Sequence, residues 1–385
     1  MWINRSYQKL IVDAAKTRPA LVLTGARQTG KTSLLLHLFP NLRFVTLDLP
    51  SEAEQAEKDA ELFLQRYPPP VIIDEVQYAP SLFRFIKIYI DKNRDQSGMF
   101  FLTGSQKFIL MKSVGDSLAG RIELLELEPL SLREVRNGGL DWGLEDVVFR
   151  GGFPELYRNP EISVIRFFSA FVASYLERDV KGILNVSNLR DFERFLRACA
   201  LRSGQVLNKN ELAKDVGISP STAGAWLSVL EASGQVALLE PWFSNKTKSL
   251  IKSPKLYLTD SGLMNFLLNI DSKERMLSSP FIGSIWETFV FSELRKLHEK
   301  HLGTWKWNFW ADRSREVDFL SDRGGRFTLY EAKWNERPEF SDTDHLRFVI
   351  RILNPDRIDQ AGVICRTRVQ YPISATISAL PLDSL

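Results

Sequence analysis

The stretch Gly25-Ala26-Arg27-Gln28-Thr29-Gly30-Lys31-Thr32 constrains the fold more than any other part of this 385-residue chain. It has the spacing G-x-x-x-x-G-K-[ST], and it lies between the apolar run Ala20-Leu21-Val22-Leu23-Thr24 and a helix-forming run from Ser33 to Phe39. A buried strand that turns through such a loop into a helix implies an α/β fold built on a parallel sheet. Glycines let backbone N–H groups close around phosphate oxygens, and the helix N-terminus adds a positive dipole. Gly25 through Ser33 are therefore candidate ligands of a nucleoside triphosphate. Lys31 is expected to reach the β- and γ-phosphates, and Thr32 to ligate Mg²⁺.

Hydrolysis would also need a carboxylate near Mg²⁺ and a base for the attacking water, placed at the end of a neighbouring strand. Pro70-Val71-Ile72-Ile73-Asp74-Glu75 supplies both, because an apolar run without a polar face belongs to a central strand. Asp74 is assigned to the metal and Glu75 to the water. A further strand, Met99 to Leu102, ends in Thr103-Gly104-Ser105, which makes Thr103 and Ser105 candidates for a hydroxyl beside the γ-phosphate. With Arg43 to Leu49 and Arg121 to Leu127, the segments predict a five-stranded parallel sheet covered by helices on both faces. Arg121 has two readings: a finger on the γ-phosphate of a neighbouring copy, which requires a homo-oligomer, or an ordinary salt bridge.

At this length two or three domains are expected, and the breaks suggest 1–150, 151–270 and 271–385. No apolar stretch approaches a membrane span and Met1 to Ser6 has no apolar signal core, so a cytoplasmic placement without membrane contact is expected. Cys199 and Cys365 lie far apart with no His or Cys at ligand spacing, which argues against a disulfide framework or a structural zinc site.

The middle segment opens at Arg150-Gly151-Gly152-Phe153-Pro154-Glu155 and continues in an amphipathic stretch from Ile165 to Val180, where Arg178-Asp179 reads as a local ion pair. Lys209 to Val216, the turn Gly217 to Pro220 and Ser221 to Glu231 follow helix-turn-helix spacing, with Ser219 capping the second helix. Gln235 to Glu240 and Pro254 to Leu258 read as strands around a basic loop. Lys246, Lys248, Lys252 and Lys255 sit on or beside it, as a wing touching phosphates would require. Residues 156–270 hold 14 basic and 10 acidic side chains, a small excess of the sign that nucleic acid attracts. The second helix offers Ser221, Thr222 and Trp226 but no Arg, Asn or Gln, so contact with DNA is expected at the backbone; docking of a protein is the other reading.

In the last segment, Glu316-Val317-Asp318 and Arg326 to Lys333 form the two strands of an expected hairpin, with Glu331 and Lys333 on one face of the second. Asp on one strand and Glu-x-Lys on the next is the arrangement of metal-dependent nucleases, in which carboxylates hold Mg²⁺ or Mn²⁺ and the lysine serves the attacking water. Asp318, Glu331 and Lys333 are the candidates, and Glu287, mid-helix beside Trp286, could add a metal-binding carboxylate. Solvated or cross-strand pairs are the ordinary alternative.

On these motifs, with Leu118-Ala119-Gly120-Arg121 and Lys255-Leu256-Tyr257-Leu258-Thr259-Asp260-Ser261-Gly262-Leu263, the chain resembles a large prokaryotic family of ATPases. Its members join an AAA-type ATP-binding domain to a C-terminal domain of unknown function, and are similar in parts to archaeal ATPases and signalling NTPases. The resemblance implies a phosphate-loop sheet, a winged-helix domain and a C-terminal α/β restriction-endonuclease-like domain, with ATP preferred to GTP. The expected function is Mg²⁺-dependent ATP hydrolysis acting on DNA, with a second metal-dependent site at the C-terminus. The alternative is a nucleotide-controlled docking switch with an inactive nuclease fold.

Overall fold

Five apolar segments of the N-terminal third pair in parallel: β1 (Ala20–Thr24), β2 (Arg43–Thr46), β3 (Val71–Asp74), β4 (Phe100–Thr103) and β5 (Ile122–Glu126), in the order β2-β3-β4-β1-β5. The computed structural model describes residues 2–105, 118, 120–139, 141–176, 189–243, 253–300 and 306–384. Its chain divides into two units. The first is Met1–Leu130 with Phe153–Arg158 and Ala232–Gly234, and the second Ser131–Gly152 with Asn159–Glu231 and Gln235–Leu385.

In the first unit the expected parallel sheet forms. β1, β3 and β4 are buried along their whole length, as strands covered on both faces must be. Alternate residues feed two separate cores: Val22, Val71 and Ile73 join Phe63 and Ile86, whereas Leu21, Leu23 and Ile72 join Ile11 and Leu35. β2 ends at Thr46, short of the expected Leu49, because Pro50 opens the helix Pro50–Lys58 and Leu49 serves as its N-cap.

The second unit holds most of the middle segment together with the C-terminal segment. The helices Lys209–Val216 and Pro220–Ala232 bury Leu212, Ala213 and Val216 with Ala223, Leu227 and Leu230. Ser219 accepts the Thr222 N–H at 3.0 Å, the capping bond its position predicts. Trp226 is a correction: it is 7% exposed and packs on Phe192 and Phe195, so it faces the core and is not available to a base. Three short antiparallel strands follow the order β6-β8-β7: β6 (Gln205–Val206), β7 (Val236–Leu239) and β8 (Lys255–Leu258). Lys246, Lys248, Lys252 and the pair Arg178-Asp179 lie outside the described residues.

The other sheet of this unit contains β9 (Trp307–Ala311), β10 (Glu316–Asp322), β11 (Phe327–Ala332), β12 (Ile358–Cys365), β13 (Tyr371–Pro372) and β14 (Ser378–Pro381), in the order β13-β14-β12-β11-β10-β9. β10 and β11 are the predicted hairpin, and β11, β12 and β14 run parallel. The helix Asp344–Leu353 covers Val317, Leu320 and Leu329 with Leu346, Val349 and Ile350. The helix Ile282–Lys300 stacks Phe291 on Phe319 and donates the Trp286 indole N–H to the Ile364 carbonyl at 3.2 Å.

Two motifs more than a hundred residues apart meet in this unit. Asp260 accepts the Gly152 N–H at 2.7 Å and the Leu263 N–H at 2.9 Å, capping the helix Ser261–Leu267 while holding the 150–152 turn. Gly151 has φ +77°, and a Cβ there would lie 2.2 Å from the Asp260 carboxylate; a Cβ on Gly262 would lie 2.3 Å from the Arg150 carbonyl. Only glycine allows so close an approach of the two backbones. Among the described residues, no helix is long and apolar enough to cross a membrane.

Candidate functional site

The parallel register brings Thr46 beside Asp74 and Leu23 beside Thr103, so the C-terminal ends of β1 to β4 converge on the glycine-rich loop. Asp74 gathers three hydroxyls. Its Oδ1 accepts from Thr32 Oγ1 at 2.6 Å and from Thr103 Oγ1, and its Oδ2 from Thr46 Oγ1 at 3.2 Å. A carboxylate among hydroxyl oxygens is a donor set for a hard cation, so Thr32 and Asp74 fit Mg²⁺ as ligands. Lys31 is 6% exposed and folds back onto the loop, donating to the carbonyls of Gly25 at 3.0 Å and Ala26 at 2.8 Å.

Glu75 is held from three sides. Its backbone is left-handed (φ 53°), its N–H donates to Thr103 Oγ1 at 3.3 Å, and its Oε2 accepts from Gln77 Nε2 and, at 3.2 Å, from Ser105 Oγ. Gln28, inside the loop, also has positive φ (62°). Such conformations in non-glycine residues persist only where the surroundings enforce them, and here both lie at the loop and the strand ends. Arg5, 7% exposed, donates to the carbonyls of Thr29 at 2.9 Å and Glu128 at 2.5 Å, tying the loop to the chain after β5. Beside Gln28, Thr29 and Gly30 is a cavity of about 440 Å³ with apolar walls from Trp2, Ile3, Leu130 and Pro154.

Arg121 is elsewhere. It precedes β5, whose first residue pairs with Ala20, so it sits at the sheet edge opposite the loop. There it makes a bidentate pair with Asp91, at 2.8 and 3.1 Å.

The second candidate cluster is centred on a lysine that the sequence reading placed at a wing. Lys255 has a side chain only 1% exposed, and its Nζ lies 3.0 Å from Glu287, 2.5 Å from Glu316 and 3.3 Å from Asp318. Its expected contact with phosphate is corrected: β8 is buried throughout, and the ammonium points inward. Tyr257, two residues on, donates its hydroxyl to Glu287 at 2.5 Å.

The hairpin register continued from Phe319↔Tyr330 brings Asp318 opposite Glu331, and the Asp318 carboxylate accepts the Ala332 N–H at 3.0 Å. Glu331 is 3% exposed and its Oε1 has no hydrogen-bond donor. Lys333 is 41% exposed at its side chain and stays 3.6 Å from Glu331. Glu287, Asp318 and Glu331 were expected to ligate a metal. Among the described residues no such group is arranged to hold an ion, and the cationic position is filled by Lys255. These residues, as arranged, do not fit Mg²⁺ or Mn²⁺.

Comparison with known proteins divides the chain in three. Residues 17–136 match the family described as AAA domain. With their parallel five-stranded sheet, these residues have a phosphate-loop fold similar to that of ATPases. Residues 141–274 and 282–385 match two domains of unknown function (DUF8612 and DUF4143). An uncharacterised protein of Mycobacterium tuberculosis is 29% identical over 373 residues, covering 95% of this chain and 81% of that protein. One from Methanocaldococcus jannaschii is 25% identical over 360 residues, covering 83% and 74%. Among solved structures, a Walker-type ATPase of Pyrococcus abyssi is similar over 69% of this chain and 96% of its own, at 16% identity and a TM-score of 0.47.

In the first unit, the sequence alone does not single out Gln77, Thr46 and Arg5. Gln77 follows Asp74-Glu75 in a one-turn helix, and a polar residue in that otherwise apolar stretch was the available signal. In the lysine cluster the signal was Lys255 itself, a cation between buried positions of a strand.

The cluster has a pH signature. Burial, and next the Asp318 charge, push Glu287 up from an ordinary value near 4.5 to about 7. Burial and Asp318 likewise hold Glu331 well above the carboxylate range. Burial opposes the Lys255 charge, but Glu287, Asp318 and Glu316 outweigh it and raise its pKa. A carboxyl that binds its proton more tightly when folded favours the fold below its unfolded pKa and loses that advantage as pH rises through the folded one. Unfolding free energy of the wild type relative to Glu287→Gln is therefore expected to fall between about pH 4.5 and about pH 7, by at most about 1.4 kcal/mol per pH unit. Denaturant titrations of both proteins across that range check it; a constant difference would contradict the linkage.

Proposed function

We propose that the N-terminal domain hydrolyses ATP, and the observation that carries this reading is the convergence of Thr32, Thr46 and Thr103 on Asp74 beside a positioned Glu75. Thr32 and Asp74 would hold Mg²⁺, which supplies charge neutralisation at the β- and γ-phosphates. Lys31 leaves the loop carbonyls to pair with phosphate oxygens. Glu75 orients the attacking water and takes its proton, and Thr103 and Ser105 fix Glu75 and the strand ends around the γ-phosphate. The apolar cavity beside the loop takes the base. Arg121 has no part in this reading, because Asp91 satisfies it at the far edge of the sheet.

For the second unit we read the helix pair with β6, β7 and β8 as a winged helix, and the six-stranded sheet with its flanking helices as a nuclease-like fold. Its role in this reading is binding under nucleotide control, not cutting. Lys255 in the carboxylate cluster supports that, since a buried ammonium and a divalent ion cannot share one position. DNA is the favoured partner over a docked protein on the basic excess of the middle segment. The exposed positions Ser221, Ala225 and Ser228 of the second helix suit backbone contact without base reading.

The test is ATP turnover and fluorescent-duplex binding by the wild type and Lys31→Ala. Turnover should be lost in Lys31→Ala, and duplex affinity should fall steeply with added salt. Turnover that survives in Lys31→Ala would remove the ATPase reading, and absence of duplex binding at low salt would shift the second unit to protein docking.

A further inference from the structure

The carboxylates around Lys255 come from different parts of the chain: Glu287 from the helix Ile282–Lys300, and Glu316 and Asp318 from β10. A helix and a strand do not bring acids together around a buried position without a cation, because the repulsion between them and the loss of hydration both oppose it; the Glu287 and Asp318 side chains are 18% and 10% exposed, and Glu316 is the most open of the three at 39%. An ammonium has three N–H donors, and here there is one for each of these acids. None of the three reaches Glu331, whose buried Oε1 has no hydrogen-bond donor, with His345 Nδ1 4.0 Å from it and Lys333 3.6 Å from its other oxygen. Lys255 therefore serves three of the four carboxyl groups gathered here. A divalent ion, which takes six or more oxygens, would use them.

We propose that Lys255 is the built-in counter-ion of this cluster, seated where the carboxylates of Glu287, Glu316, Asp318 and Glu331 would otherwise close on a divalent cation. The wild-type chain then binds no divalent metal there, and removing the lysine amine creates the site. Tyr257 stays on Glu287 in either state and keeps that carboxylate turned inward. Lys333, 41% exposed at its side chain, pairs with Glu331 at 3.6 Å and not with the acids that Lys255 holds. The inference is independent of ATP hydrolysis, which involves other residues.

The experiment uses full-length protein without nucleotide, and counts bound Mn²⁺ by electron paramagnetic resonance. Lys255→Ala is expected to gain about one Mn²⁺ per chain over the wild type, and adding Asp318→Asn in that background should remove the gain. Asp318→Asn in the wild-type background should change nothing. Lys255→Gln leaves a polar side chain one atom shorter, with two N–H donors but no charge, and serves if Lys255→Ala does not fold. A gain in either variant that depends on Asp318 supports the proposal. No gain in either, or a wild-type Mn²⁺ that Asp318→Asn removes, overturns it.

Discussion

Glu75→Gln is expected to lower ATP turnover by about 10²- to 10⁴-fold while nucleotide affinity stays close to that of the wild type. The amide keeps the shape of the side chain and can still bond to Ser105 and Gln77, so the loop and the strand ends are undisturbed. What it cannot do is take a proton from water. Binding resides in the loop, where Lys31 and the backbone N–H groups are untouched. Phosphate release and equilibrium binding of a fluorescent ATP analogue separate the two effects, and Gln77→Ala should fall between them because it frees Glu75 without removing its carboxylate. Turnover of Glu75→Gln within a few-fold of wild type would show that the base is another residue.

Lys255→Met should destabilise the second unit by about 3–5 kcal/mol, the usual cost of removing one partner from a buried ion pair. The thioether fills the space but leaves Glu287, Glu316 and Asp318 facing one another. Eight of the nine tryptophans lie at or beyond Trp142, so tryptophan fluorescence in urea follows the second unit with little signal from the first. The loss should shrink on acidification, as protonation of the carboxyls replaces the missing ammonium. A shift below about 1 kcal/mol at neutral pH would mean that the acids relax into water, as surface pairs do, and that the cluster is not tightly held.

The two sites differ in how far they could be read from residue order. The phosphate-binding loop and the ends of β1, β3 and β4 were legible because each is contiguous: a strand ends, and the chemistry begins at the next residue. Asp74-Glu75 after Val71-Ile72-Ile73 carries its own context. The partners of Glu75 were not legible, because a backbone in left-handed conformation decides where its side chain points.

The lysine cluster was half legible. Alternation placed the hairpin and its acids, but Lys255 lies 63 residues before Asp318, and nothing local says that β8 is buried on both sides. A basic residue next to a lysine-rich loop reads as solvent-facing, and only the packing of β8 against the helix Ile282–Lys300 reverses that. Trp226 shows the same limit at shorter range. On a helix whose stripe contains Ala223, Leu227 and Leu230, its position belongs to the core, yet residue type alone counts it among the few side chains of that helix able to reach a base.

β8 and the turn that follows form one short bar with a clasp at each end. Lys255 engages the acids at one end, and Asp260, five residues later, holds the Gly152 N–H and caps its own helix at the other. Four buried residues, Leu256 to Thr259, join them, the first three paired with β7 in fixed register. Because a slip of one residue would turn every side chain of a strand to the opposite face, the bar cannot creep. Any movement large enough to draw the lysine out must release the glycine turn as well, so the two clasps open together or not at all.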